Sequence, residues 1–276
     1  MIPLKCRIGL DDTDHIQVGC TTSSFDHLLL SICEQIECQI VERRLVRLWP
    51  FAQRRTRGNG ALGAILEIPQ NSAEKLEQVC NEWFSNLLSE ISTYPISEIP
   101  ISPCLVISFT PVPKEWYWDA VRKHVDSETL LDEAIHNGVI VIRPYSTFGV
   151  VGACAAISWD NNSNSSWELI SWRDESMVGT PRKISLESVS DLESKFPDTF
   201  LNRDPTKGKS MIAPRTPCPV LYGIRGSSYS GVEEAHHWLQ SRNDVEECHS
   251  FAIHRTNQLS DDHIECSQSG VVTSFP

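Results

Sequence analysis

The chain lacks three things that would each have pointed to a function class. No C-x-x-C pair occurs anywhere; its ten cysteines stand singly, several of them in apolar runs, as at Cys6, Cys33 and Cys154. A zinc ribbon needs closely spaced thiolate pairs and is therefore excluded. No apolar run approaches the roughly 20 residues needed to cross a bilayer. The first residues, M-I-P-L-K-C-R-I-G-L, lack the apolar core and cleavage site of a signal peptide and read instead as a strand. The expectation is a cytoplasmic protein, with no membrane partner and with buried, reduced cysteines. An overall basic charge is also missing. Lys and Arg number 24 against 36 Asp and Glu, a net charge of −12, so the chain is not a generic nucleic-acid binder.

What is present is charge of both signs, sharply localised. Residues 8–22 read I-G-L-D-D-T-D-H-I-Q-V-G-C-T-T, which puts Asp11, Asp12 and Asp14 within four positions directly after an apolar run. Arg43, Arg44, Arg47, Arg54, Arg55 and Arg57 crowd into fifteen positions and end in R-R-T-R-G-N-G. At 276 residues, 40% of them hydrophobic, the chain is long enough for one large domain or two small ones with a real core.

Residues 4–10 alternate apolar and polar and predict a strand. Phe25, Leu28, Leu29, Ile32, Cys33 and Ile36 recur at helical spacing over 24–38, with Ser23 or Ser24 as cap. Further strands are predicted at 40–48 and 61–68, with a Pro/Gly loop over 49–60. A helix over 72–91 is capped by Asn71 with Glu74 at the third position. L-V-I-S-F-T makes a strand, and a helix over 115–137 ends at Gly138. V-I-V-I-R follows as a strand. The second half reads as strand 151–158, hairpin loop 161–166, strand 166–173, helix 185–194, strand 218–224, helix 230–241 and strand 248–254. That order suits a small α+β sandwich. The predicted division is 1–145, 146–265 and a frayed tail 266–276. The fold class is α/β (α+β).

Strand 4–10, helix 24–38 and strand 40–48 form a β-α-β unit, whose two strands point the same way. The aspartates and the Arg/Gly loop should therefore emerge at the same edge of a sheet, where ligands bind in α/β folds. Carboxylate oxygens hold Mg²⁺, and Mg²⁺ carries triphosphate. Arginine forks and glycine amides grip phosphate, and G-C-T-T before a helix favours an anion. As residues alone, D-D-T-D also reads as a capped turn, and N-G as a hairpin turn. Asp261, Asp262 and His263 read as a surface turn, His236 and His237 as ordinary helix residues, and Trp116, Tyr117 and Trp118 as packing.

Three long stretches, I-G-L-D-D-T-D…G-C-T-T (8–22), R-L-V-R-L-W-P…R-R-T-R-G-N-G-A (44–61) and T-P-C-P-V-L-Y-G-I-R-G (216–226), resemble the archaeal tRNA(Ile) agmatinylcytidine synthetase family. Weaker echoes, among them V-V-G-A-C-A-A-I (150–157), W-E-L-I-S-W-R (167–173) and G-T-P-R (179–182), keep the same order over nearly the whole chain. The resemblance implies a kinase-like N-terminal domain followed by a ferredoxin-like domain. It implies that ATP phosphorylates a cytidine carbonyl oxygen and that the amine of agmatine then displaces phosphate. By resemblance, Asp11, Asp12 and Asp14 are the metal and ATP aspartates, and Thr21 is an autophosphorylated threonine. Thr22, Arg55, Thr56, Arg57, Gly58, Asn59 and Gly60 bind the nucleotide, with Arg55 where the family usually has lysine. The implied cofactors are ATP and Mg²⁺.

The family's OB-fold and zinc ribbon, which grip tRNA, have no counterpart in these 276 residues, and the basic stretch before V-G-A is replaced by Pro144-Tyr-Ser-Thr-Phe148. With the acidic net charge, this favours an ATP-dependent C–N ligase acting on a small-molecule or pyrimidine-like carbonyl compound and an amine such as agmatine. The alternatives are the same chemistry on tRNA, through a partner or a smaller footprint, and a non-catalytic nucleotide-binding regulator.

Overall fold

Both halves of the chain build one mixed sheet. The computed structural model describes residues 3–55, 58–160, 165–204 and 206–257. The first half contributes β1 (Leu4–Asp11), α1 (Thr21–Gln35), β2 (Gln39–Arg47), β3 (Gly60–Ile68), α2 (Ala73–Ile91), β4 (Cys104–Ser108), α3 (Glu115–Arg122), α4 (Ser127–His136) and β5 (Ile140–Ile142). Then follow α5 (Gly149–Ser158), β6 (Ser165–Trp172), α6 (Leu186–Lys195), β7 (Thr199–Phe200), β8 (Val220–Gly226), α7 (Tyr229–Gln240) and β9 (Ser250–Asn257). Nine strands run in the order β5-β4-β1-β3-β2-β9-β6-β8-β7. The two halves join where β2 pairs in parallel with β9, at Arg44↔Arg255 and Leu45↔Thr256.

β1 and β2 point the same way, as expected, but they are not neighbours. β3 lies between them, antiparallel to both. The geometric consequence survives. Asp11 pairs with Cys104 at one end of β1, and Arg47 pairs with Gly60 at the same end of β2. The aspartate turn and the Arg/Gly loop therefore leave the sheet on one edge. α1 and α2 cover one face of the first half through Phe25, Leu28, Leu29, Ile32, Leu76 and Phe84, all buried against β1 and β3. In the second half, α6 and α7 pack on one face of the sheet around Leu192, Tyr222, Val232 and Leu239.

Several boundaries differ from expectation, each for a local reason. α1 begins at Thr21, not at Ser23 or Ser24: Gly19 takes φ +72°, Cys20 is extended, and the helix starts at once without a side-chain cap. Asn71 lies in a 3-10 turn (Gln70–Ser72) and does not cap α2. The single helix over 115–137 is two, broken at residues 123–126, where Asp126 Oδ1 accepts from the Thr129 N–H at 2.9 Å and starts α4. Cys6 and Cys154 are buried, whereas Cys33 is exposed on α1. Trp116 and Tyr117 pack in the interior, as expected, whereas Trp118 is exposed, with Arg122 over its ring at 4.2 Å.

The main correction is residues 151–158, expected to be a strand and found as helix α5. Its sequence G-V-V-G-A-C-A-A-I-S is apolar all round, so neither periodicity is visible. The helix is buried on the face of β1, β3 and β4 opposite α1 and α2. Small residues set its depth: a side chain at Gly9 would collide with the Ala153 carbonyl, and one at Gly63 would lie 3.0 Å from the Ala156 carbonyl. Of the expected hairpin loop 161–166, residues 161–164 lie outside the described residues, and Ser165 and Ser166 begin β6. The expected tail and the Asp261–His263 turn lie outside them too. Among the described residues, no helix is long and apolar enough to cross a membrane.

Candidate functional site

The sheet edge carries two cavities that share Asp14, Gly58 and Gly60 in their linings. The smaller, about 320 Å³, is lined by Asp11, Asp12, Arg54, Arg55 and Asn59 among others. Seven of the eleven residues singled out from sequence, Asp11, Asp12, Asp14, Arg55, Gly58, Asn59 and Gly60, thus meet around one space. Thr21 and Thr22 line the larger cleft, about 740 Å³, which lies between the start of α1 and the sheet of the second half. Thr56 and Arg57 lie outside the described residues.

In the smaller cavity the backbone is bent to aim carboxylates. Asp12 has φ +56°, a left-handed conformation that aspartate tolerates better than most residues. Its Oδ2 accepts from the Ser102 N–H at 3.2 Å and lies 3.5 Å from Arg54 Nη2. Arg54 also donates to the Pro100 carbonyl and stacks over the Phe148 ring at 4.0 Å. The Asp11 carboxylate lies against the α5 backbone at Gly152, where any side chain would collide with Oδ2. Asn59 holds the loop shut on itself: its carbonyl accepts from the Leu48 N–H at 2.8 Å and its Nδ2 donates to the Trp49 carbonyl at 2.7 Å. Arg55 donates to the Pro50 carbonyl.

The electrostatics show a deficit of positive charge. Burial, then repulsion by Asp12 and Asp14, pushes the Asp11 carboxyl well above the usual carboxylate range. Burial likewise raises Asp12 to about 6, although Arg54 beside it pulls the other way. Two half-buried carboxylates that resist ionisation form a site suited to a divalent cation. Among the described residues, no three His, Cys, Asp or Glu side chains converge as a cage, so the three aspartates do not enclose an ion by themselves. Mg²⁺ does not need a cage. It is commonly held by one or two carboxylates, with substrate phosphates completing the shell.

Between the cavities lies a hydroxyl relay. Thr21 Oγ1 donates to Asp14 Oδ1 at 3.2 Å and accepts from Thr13 Oγ1 at 3.2 Å. A hydroxyl donating to a carboxylate has the arrangement of an activated nucleophile. On the larger cleft's wall, Thr22 Oγ1 accepts from Trp172 Nε1 at 3.2 Å, and Cys20 Sγ lies 3.0 Å from it.

The far wall of the larger cleft was not legible as a site from residue spacing. Glu168 on β6 is buried and bonds Arg47 Nη2 through both oxygens, at 2.7 and 2.5 Å. Its Oε2 also accepts from Arg225 Nε at 3.0 Å. Burial alone would raise this carboxyl, but Arg225 and Arg47 outweigh it and hold it at about 2. Arg182 shapes the neighbouring wall by donating to the carbonyls of Pro214, Thr216, Cys218 and Val220 at 2.8–3.0 Å. Glu168, Arg182 and Arg225 all fall in motifs noted above, the only signal that could have found them.

The chain matches two family models, the TiaS TCKD domain over residues 7–143 and the TiaS FLD domain over residues 147–263. It is 32% identical over 271 residues to the tRNA(Ile2) 2-agmatinylcytidine synthetase TiaS of Cenarchaeum symbiosum (strain A), covering 95% of this chain and 56% of that relative. Among solved structures it is similar to the TiaS–tRNA(Ile2)–ATP complex, with TM-score 0.78, 26% identity, and coverage of 92% of this chain and 58% of that one. It is also similar to the TiaS–tRNA(Ile2)–AMPCPP–agmatine complex, with TM-score 0.78, 25% identity, and coverage of 92% and 60%. The chain thus spans somewhat over half the length of the relatives it matches.

Proposed function

Since this chain belongs to the TiaS family, we propose that it is an ATP-dependent ligase that joins agmatine to a cytidine of tRNA(Ile2). The observation that carries this reading is the Thr21–Asp14 pair at the meeting of two cavities, one lined with aspartates and Arg55, the other large enough for a nucleotide. A urea-like carbonyl is a poor electrophile, and oxide is a poor leaving group. Transfer of a phosphoryl group from ATP to the carbonyl oxygen turns that oxygen into part of a phosphate. The amine then attacks the carbon, the C–O bond breaks, and phosphate leaves with the electron pair.

The residues of this chain supply positioning and charge, which is most of what phosphoryl transfer requires. Asp11 and Asp12 would hold Mg²⁺, which neutralises phosphate charge when bound. Arg54, now against Asp12, and Arg55 would grip phosphate oxygens. Asn59 keeps the Gly58–Gly60 amides in place at the border of both cavities. Asp14 takes the Thr21 proton, which lets Thr21 accept a phosphoryl group.

The expectation of a small carbonyl substrate finds no support among the similar proteins, whereas the similar complexes hold tRNA(Ile2). The tRNA reading therefore replaces it. The test mixes the chain with ATP, Mg²⁺ and radiolabelled agmatine, with and without tRNA(Ile2). Label in the tRNA, absent from Asp12→Asn, is the expected result. ATP consumption unaffected by tRNA, with no label transferred, would sink the proposal; tight ATP binding without turnover would favour a regulator.

A further inference from the structure

The larger cleft is lined by three arginines, Arg47, Arg215 and Arg225, against two carboxylates, Asp14 and Glu168. That local excess of positive charge stands out in a chain of net charge −12. Glu168 is 5% exposed and spends both oxygens on two of the arginines. It holds two like-charged guanidiniums side by side that would otherwise repel.

We propose that the Arg47–Glu168–Arg225 cluster is a subsite for a phosphate oxyanion, filled by a phosphodiester of the RNA strand when substrate enters the larger cleft. The inference rests on the tRNA reading above and adds to it the residues that would take the backbone. Locking β2 to β6 accounts for Arg47, whose Nη2 is committed to Glu168 and whose backbone is clasped by Asn257 on both sides. It does not account for Arg225. That side chain is 35% exposed, lines the cleft and donates to Glu168 only through Nε; among the described residues its two terminal nitrogens have no partner. Two parallel N–H groups fixed in direction by a buried carboxylate match two oxygens of a phosphate. The occupant is not agmatine, whose guanidinium and amine are both cationic and would meet the arginine excess.

The same oxyanion chemistry could come from RNA or from phosphate released at the nearby Thr21 and Asp14, so the experiment separates the two. The full chain is titrated with a tRNA(Ile2) anticodon stem-loop across a salt series, as wild type, Arg225→Gln and Arg225→Lys. In parallel, each backbone phosphate is replaced in turn by a neutral methylphosphonate. The expected result is about tenfold weaker binding by Arg225→Gln at low salt, with the logarithmic salt slope reduced by about one. Arg225→Lys keeps the slope and loses part of the affinity. One methylphosphonate position weakens the wild type and leaves Arg225→Gln unchanged. Equal affinity and slope in wild type and Arg225→Gln would overturn the proposal, as would a wild type that binds no RNA. If Arg225→Gln instead weakens only inhibition of ATP turnover by inorganic phosphate, the subsite serves released phosphate and the RNA occupant is wrong. A wild type that shows the methylphosphonate effect but transfers no agmatine would sink the function proposed above and leave this subsite standing.

Discussion

The Thr21 hydroxyl donates to Asp14 Oδ1 at 3.2 Å, across a turn in which Gly19 takes φ +72°. Thr13 donates into the same hydroxyl, so its proton is directed at the carboxylate. On incubation with ATP and Mg²⁺, one phosphoryl group is expected on Thr21, read by peptide mass mapping. Thr21→Ser keeps the hydroxyl and should retain the modification, whereas Thr21→Ala should lose it. Asp14→Asn removes the base and should slow the step by about 10²–10⁴-fold. Modification of Thr21→Ala at wild-type level would show that the phosphoryl group goes elsewhere.

Gly152 makes a second test. It lies on α5 directly behind Asp11, and a methyl there would strike Asp11 Oδ2 and come within 2.9 Å of Leu48 Cδ1. Gly152→Ala raises helix propensity and would be mildly stabilising on that ground alone. Overpacking wins instead, at about 1–3 kcal/mol, and the carboxylate must move. The expected outcome is a lower midpoint in denaturant unfolding together with weaker ATP–Mg²⁺ binding by calorimetry. A variant as stable as wild type that binds ATP normally would show that Asp11 has room to retreat.

Legibility in the sequence followed the range of the forces involved. β1 was readable because its apolar and polar residues alternate, β2 and β3 as short apolar-rich runs on either side of a Pro/Gly loop, and the common edge of β1 and β2 followed from chain direction. The Asp11–Asp14 turn and the 54–60 loop sit at strand ends, so order along the chain was enough to bring them together. α5 was not readable, because a helix buried on every side has no polar face to report its period. The Arg47–Glu168 contact joins residues 121 positions apart. Nothing local to either residue signals the other, and only the β2–β9 pairing brings their strands into one sheet. That pairing also runs the sheet of the second half on into that of the first.

Two buried histidines make stability depend on pH. Burial, and then Arg43, lowers His254 to about 3; burial, and then His237, lowers His236 to about 4. Both are neutral in the folded chain at pH 6, while the unfolded chain takes up protons near 6.5. The histidines' contribution to stability is thus fully present above 6.5 and falls as pH drops toward 4, by up to about 1.4 kcal/mol per pH unit for each histidine. Below 4.5, loss of the Glu168 pairing acts in the same direction. The raised carboxyls of Asp11 and Asp12 act in the opposite direction over this range, because the folded chain takes up those protons first. The histidine contribution is isolated by difference: the unfolding free energy of wild type minus that of His236→Gln should shrink as pH falls from 7.5 to 5. A difference independent of pH would show that His236 titrates alike in the folded and unfolded chain.

Arg44 ties β2 to the far end of α5, and its removal tests how firmly that helix is held. Its Nε donates to Glu42 Oε1 at 2.6 Å, and its Nη1 donates to the carbonyls of Trp159 at 2.9 Å and Ala156 at 3.4 Å. The last carbonyls of a helix have no partners within it, and a buried guanidinium satisfies two of them here while facing the negative end of the dipole. Arg44→Ala strands those carbonyls and takes from Glu42 the guanidinium bonded to it at 2.6 Å. The expected cost is about 2–4 kcal/mol. Arg44→Lys reaches with one ammonium instead of a fork and should recover only part of it. Because the start of α5 supports Asp11, hydrogen exchange should quicken along 149–159 in Arg44→Ala, and ATP affinity should fall with it. Faster exchange with unchanged ATP affinity would show that the two ends of α5 act independently.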